Sequence, residues 1–278
     1  MFKAEIIADS KNEFGNRITT FVITFPRIIL AEFNTHRMLS RNSASSRAIP
    51  FEKMLKSVED NPFVPIRWMR DHKGMQGSEY FEGHEAESCI NIWHAAKIDA
   101  IHNAVFLNKK GVTKQFINRL LEPFMWHTVI VTATEWENFF ALRAHDAAEI
   151  HMQRIAYMML EKYNNSEPNL LLPGMWHVPF GSAFVDIQKP IEEKIKIATA
   201  QCARVSYTIV GDNKTIDWEK DIELHDRLLK MGHMSPFEHC AKAKHGFDDD
   251  ESGNFTGFIQ YRKTLSGENK NDIRVIKK

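Results

Sequence analysis

The sequence predicts an α+β fold, a mixed or antiparallel sheet with a helical bundle, because strand-like and helix-like segments are segregated along it. Two stretches near the N-terminus, Phe2 to Ile7 and Arg17 to Phe25, have the β-branched and aromatic density of strands, and Phe21, Ile23 and Phe25 alternate onto one face. From Ser88 onward the apolar residues recur at helical spacing instead. A chain of 278 residues can bury a substantial core, and one domain spanning 1–278 is expected.

Taken in order, Lys11 to Asn16, with Gly15, makes a hairpin turn between the two strands. Pro26 can open a helix, where its missing N–H needs no partner. Ile28, Ile29, Leu30 and Phe33 would bury that helix, and its far end delivers His36 and Arg37. From Ala48 to Glu87 the pattern is irregular, with Pro50, Pro62, Pro65 and a turn at Lys73 to Gly77, and it reads as a loop on the substrate side. Ser88 to Lys110 reads as a helix with Ile90, Trp93, Ile98, Ile101 and Val105 inward, stopping at Gly111. Thr113 begins a second helix, with Phe116, Ile117, Leu120 and Leu121 inward. Thr134 with Glu137, and Asp146 with Glu149, read as capping boxes and put Arg143 at a junction of two helices. Asn164 to Lys189 is a long connection rich in Pro and Gly. Pro190 starts a helix through Ile191, Ile195 and Ala198, and a last one, about Asp217 to Met231, buries Ile222, Leu228 and Leu229 and stops at Gly232.

Acidic and basic residues balance at 36 each, so no overall field favours nucleic acid. The three cysteines form no CxxC pair, and neither a leader nor a bilayer-spanning run is present, so a soluble, reduced, cytoplasmic protein is expected, with no membrane partner. The 19 Phe and 6 Trp suit a deep core, a pocket for flat rings or a subunit interface, and composition does not separate these.

The stretch Thr35 to Arg47 carries three arginines (Arg37, Arg41, Arg47), His36 and the hydroxyls of Ser43, Ser45 and Ser46. Guanidinium forks and hydroxyl donors in that density suit a phosphate, while the same residues also suit a solvated helix end whose cations complement the helix dipole. Cys89 and Cys202 read as buried spacers, and Cys240, beside His239, is the one thiol with an activating neighbour. His233, His239 and Cys240 lack the paired spacing of a zinc site, so no metal is expected.

Three separated blocks, GHMSPFEH (Gly232 to His239) with CARVSY upstream, HRMLSRNSASSR (His36 to Arg47) and NFFALRAHDAAEI (Asn138 to Ile150), together resemble the flavin-dependent thymidylate synthases, also called thymidylate synthase complementing proteins. In the usual member the first of these blocks opens the chain; here it comes last. The chain therefore looks circularly permuted, with Asn164 to Lys189 spanning the usual termini and the blocks falling at 1–47 (strand, helix and nucleotide), 88–164 (helical) and 190–240 (flavin).

The resemblance implies roles for particular residues. Ser45, Ser46 and Arg47 match the segment that binds the nucleotide phosphate, with Arg119 a second arginine for it. Arg143 matches the arginine that polarises the uracil ring, and is the catalytic residue expected. His36, Arg37, Asn138, Leu142, Ser206, His233, Ser235 and Glu238 match cofactor-pocket positions. Thr35 stands where the motif has its first Arg, Glu32 where many members have Gln, and Ser43 where Glu is usual. Gln260 and Arg262 are the expected replacements for the missing donors. The implied activity is that of an FAD-dependent methyltransferase in which NADPH reduces the flavin, methylenetetrahydrofolate supplies the carbon and dUMP becomes dTMP, in a homotetramer with shared sites. The alternatives are a hydroxymethylase of dUMP or dCMP on the same fold, or an inactive nucleotide-binding homologue.

Overall fold

The computed structural model describes residues 1–74, 77–181, 188–205, 217–245 and 252–266. In chain order the elements are β1 (Lys3–Asn12), β2 (Arg17–Pro26), α1 (Leu30–Phe33), β3 (Ser40–Ser43), α2 (Phe51–Asp60), α3 (Gly83–Lys109), α4 (Lys114–Leu121) and β4 (Trp126–Ala133). Then come α5 (Glu137–Arg143), α6 (Ile150–Asn165), β5 (Asn169–Leu171), β6 (Trp176–His177), α7 (Ile191–Arg204), α8 (Trp218–Met231), β7 (Ala241–Ala243), β8 (Phe258–Gln260) and α9 (Tyr261–Thr264). The protein is α+β, as its sequence predicts.

A five-stranded mixed sheet has the order β3-β4-β2-β1-β5, antiparallel throughout except for the parallel pair β1 and β5. A smaller antiparallel sheet has the order β6-β7-β8. The first hairpin closes as expected: Gly15 takes φ 87°, and the Asn12 Oδ1 accepts from the backbone N–H groups of Phe14 and Asn16.

β2 is buried on both faces, and its alternation sorts the layers. Phe21, Ile23 and Phe25 face Phe33 of α1, Trp136, Phe139 and Phe140 at α5, and Ile155 and Met159 of α6. Val22 faces the other way, onto Cys202 of α7 and Val205, while Ile18 packs on Ala241, Ala243 and Phe258 of the small sheet. Each fully buried aromatic contributes on the order of 2 kcal/mol, so this double-sided strand is the centre of the molecule.

Several local expectations are corrected. Ile28 is exposed, because the segment after Pro26 is a 3-10 turn, Arg27–Ile29, followed by one turn of α1, in which Ile29 and Phe33 are buried and Leu30 packs partly buried against them. The 48–87 region holds a real helix, α2, whose Phe51, Met54 and Val58 pack on Ala104, Ile117 and Leu121 of α3 and α4. Met75 and Gln76, in the expected Lys73 to Gly77 turn, lie outside the described residues. Ile98, Phe116 and Leu120 are exposed, since α2 covers only one side of that helical layer. Ile191, at the start of α7, is also exposed, and Leu224 with His225 is more buried in α8 than Ile222, Leu228 or Leu229.

Neither capping box forms. The Thr134 hydroxyl accepts from Thr256 N–H instead, and Glu149 itself caps α6, accepting from the backbone of His151 and Met152. Gly232 does end α8, in the left-handed conformation at φ 74°. Among the described residues no helix is long and apolar enough to cross a membrane.

Candidate functional site

β3 is an edge strand whose alternate side chains reach two different parts of the molecule. Ser40 and Asn42 share one face. The Ser40 hydroxyl donates to Asn254 Oδ1 (3.0 Å) and accepts from Gln260 Nε2 (2.8 Å). Asn42 donates to the carbonyl of Cys202 (2.9 Å) and accepts from the Ser235 hydroxyl (3.2 Å). Arg41, on the opposite face, donates to the carbonyls of His36 (2.9 Å) and Phe33 (3.3 Å). For Arg41 the helix-end reading of the sequence is therefore the correct one, since it satisfies the open carbonyls after α1.

Arg143, the last residue of α5, meets this strand's approach segment. Its Nε donates to His36 Nε2 at 2.9 Å, Nη2 lies 3.5 Å from Thr35 Oγ1, and Nη1 lies 3.7 Å from Glu32 Oε2. The His36 ring stands edge-on to Phe139, centroids 5.0 Å apart. An Arg Nε–H can only donate, so His36 Nε2 must accept, which fixes the neutral Nδ1–H tautomer. Burial first, then the charges of Arg143 and Arg41, hold the His36 pKa down to about 4, consistent with that neutral ring. Burial, with help from Glu149, raises the Glu32 carboxyl against the opposing pull of Arg143. Two of the three positions where the sequence departs from the motif, Glu32 and Thr35, thus face Arg143. Its side chain is 23% exposed, open enough for a ligand to reach.

Glu238 closes the short 3-10 turn Ser235–Glu238 that Asn42 meets through Ser235. Arg262 Nη1 donates to its Oε1 at 2.5 Å, and its charge also opposes the lowering that burial imposes on Arg41. Beside it, a cavity of about 450 Å³ is lined by Asn42, Arg204, Arg227, His233 and Ser235, among others. Arg204 is held by Asp221 at 2.6 Å. The two guanidiniums supply donors that suit a pyrophosphate, and the volume suits part of a flavin dinucleotide.

The expected phosphate segment follows β3. Ser46 is buried and its hydroxyl donates to Glu122 Oε1 (2.5 Å), while Asn118 ties down its carbonyl (2.7 Å). Glu122 also meets Arg27 at 3.5 Å, and the Arg27 Nη1 lies 3.2 Å from both ring nitrogens of His127. Arg27 feels the charge of Arg119. Arg119 and Arg47 are exposed, and Ser45 is half-buried. Arg27 is a cation that the sequence reading does not single out.

No protein-family model and no curated protein matches the sequence. Among solved structures, the chain is similar to a UMP/dUMP methylase, PolB, from Streptomyces cacaoi bound with 5-Br UMP, at 15% sequence identity and a TM-score of 0.48 over 59% of this chain and 88% of that one. With PolB bound to 5-Br dUMP the values are 12% identity and a TM-score of 0.47, over 59% of this chain and 90% of that one.

The remaining expected residues are dispersed. Asn138 and Leu142 are exposed one turn apart on α5, and Arg37 is exposed beyond α1. Ser206 lies outside the described residues. Gln260 is buried, with its amide bonded to Ser40 and Asn254, and the ion pair of Arg262 is with Glu238. The bonds described for this pair thus go elsewhere than Glu32 and Thr35, which Arg143 meets. Asn42 and Arg227 line the cavity and were not foreseen; no spacing in the sequence marks them. Burial pushes the Cys240 thiol up to about 12 and raises Cys202 as well, which opposes a thiolate role for either.

Proposed function

We propose that the protein is an FAD-dependent enzyme that transfers a one-carbon unit from methylenetetrahydrofolate to dUMP, giving dTMP, with NADPH as reductant. The observation that supports this reading is the meeting of three blocks far apart in sequence. Arg143 binds His36, Asn42 binds Ser235, and Arg41 stands near Glu238, all around β3. A chain whose resemblance to one family rested on chance would not be expected to gather those blocks at one strand.

In this reading Arg143 stabilises negative charge on a pyrimidine carbonyl, and neutral His36 orients the guanidinium without competing for its charge. Ser45, Arg47 and Arg119 hold the phosphate, joined by Arg27. His233, Ser235, Arg204 and Arg227 hold the flavin, which supplies reducing equivalents when bound. The permuted block order and the homotetramer with shared sites belong to the same proposal.

A second reading is favoured by Glu32. An acid with a raised pKa, 3.7 Å from Arg143, suits a general base that admits water and gives a hydroxymethyl pyrimidine. The test is an absorbance spectrum after incubation with FAD, then NADPH oxidation with and without dUMP, then the product's mass. Flavin binding with dUMP-stimulated oxidation is expected. A product heavier than dTMP by one oxygen would select the second reading, and a colourless protein that ignores dUMP would overturn both.

A further inference from the structure

Beneath the Ser235–Glu238 turn, five polar groups form an unbroken buried line across the two sheets. Ser10 Oγ lies 3.0 Å from His177 Nδ1, and His177 Nε2 lies 2.9 Å from Thr20 Oγ1. Thr20 Oγ1 lies 2.8 Å from Thr132 Oγ1, which lies 2.9 Å from His239 Nδ1. The line joins β1, β6, β2 and β4 to the residue directly after Glu238. His239 Nε2 is fully buried and has no partner among the described residues.

Each hydroxyl has one proton and each neutral imidazole one N–H, so with every buried hydroxyl proton spent inside the line all donors point the same way. If they pointed toward His239, its fully buried Nε2 would carry an N–H with no acceptor among the described residues. Pointing the other way leaves only a bare lone pair there, and puts the free hydroxyl proton at Ser10, which keeps 6% exposure. An orphaned lone pair costs less than an orphaned donor.

We infer that this is a single hydrogen-bond chain running from His239 to Ser10, with both rings in the Nδ1–H tautomer, and that His239 is a positioning residue which pins the Ser235–Glu238 turn to the sheet from inside. This hydrogen-bond chain does not rest on the function proposed above. Thr20 is its midpoint and touches no residue of that turn in the hydrogen bonds described.

The test uses the full protein labelled with nitrogen-15 in its histidine rings. In the wild type both His177 and His239 are expected as the Nδ1–H tautomer; either one found as Nε2–H overturns the inference, and this needs no variant. In Thr20→Val both rings should keep the Nδ1–H tautomer, since an Nε2–H would still meet no acceptor among the described residues, while the chain is cut at its midpoint and hydrogen exchange at the Phe237 and His239 amides should rise about tenfold. Thr20→Ser should restore the slow exchange. Unchanged exchange in a folded Thr20→Val protein would also overturn the inference. None of these measurements requires flavin or nucleotide, so they stand apart from any failure of the proposed activity.

Discussion

Arg143 gathers the side chains that a motif comparison flags as unusual, and that makes its own neighbourhood the place to test. Arg143→Lys keeps the charge and loses the fork, so kcat/KM for dUMP is expected to fall by about 10²-fold or more. Loss in KM alone would place Arg143 in binding rather than in charge stabilisation. Glu32→Gln removes an acid that an anionic nucleotide must approach, and dUMP is expected to bind about tenfold more tightly near neutral pH, read by calorimetry. Weaker binding would sink the idea that the carboxylate opposes the ligand. At this scale the sequence showed the residue types and missed the pairings. It marked His36 and Arg143 separately, and their 2.9 Å bond depends on a separation of 107 residues that no local pattern records. Arg27 was invisible because its partners, His127 and Glu122, come about 100 residues later.

Among the elements, β2 was readable because Phe21, Ile23 and Phe25 repeat with period 2 and β-branched residues fill the other buried face. The helix α2 was not, although Phe51, Met54 and Val58 repeat at helical spacing, because Pro50 and Pro62 at its two ends drew attention as loop residues. Pro50 in fact sits at the N-cap, where a proline is compatible with a helix start. The turn after α8 offers a stability test. A Cβ on Gly232 would meet nothing within 4 Å, so Gly232→Ala pays only for its φ of 74°, about 1 kcal/mol in urea unfolding. A larger loss would mean that the His233–Glu238 segment moves with it. The exposed Ile92 and Phe106 lie two heptads apart on α3, and they supply a surface for the proposed self-assembly. Replacing both by Glu is expected to reduce the mass seen in sedimentation; an unchanged mass would place the subunit contact elsewhere.

Across the whole molecule, three buried histidines tie stability to pH. Burial is the main cause in each case, and His127, His177 and His239 have pKa values lowered to about 3, about 4 and about 3 from 6.5. Because the unfolded chain binds protons first, their contribution is fully present above pH 6.5 and is lost as pH falls toward those folded values. Each then removes about 1.4 kcal/mol per pH unit, so the urea midpoint should drop steeply between about pH 6.5 and about pH 5. A flat midpoint over that range would show that these rings are solvated.

The 254–260 segment has a consequence of its own. Asn254 holds Ser40 and the Met38 carbonyl, Thr256 holds Thr134 and Glu135, and the Gly257 carbonyl receives Asn12. A ribosome therefore releases the first hairpin and β3 long before their fastener exists, since Ser40 waits 214 residues for Asn254 and 220 for Gln260. Such remote closure makes folding slow and leaves an unguarded strand edge on the nascent chain, where a chaperone or a neighbouring polypeptide can compete for β3 until translation brings its clasp.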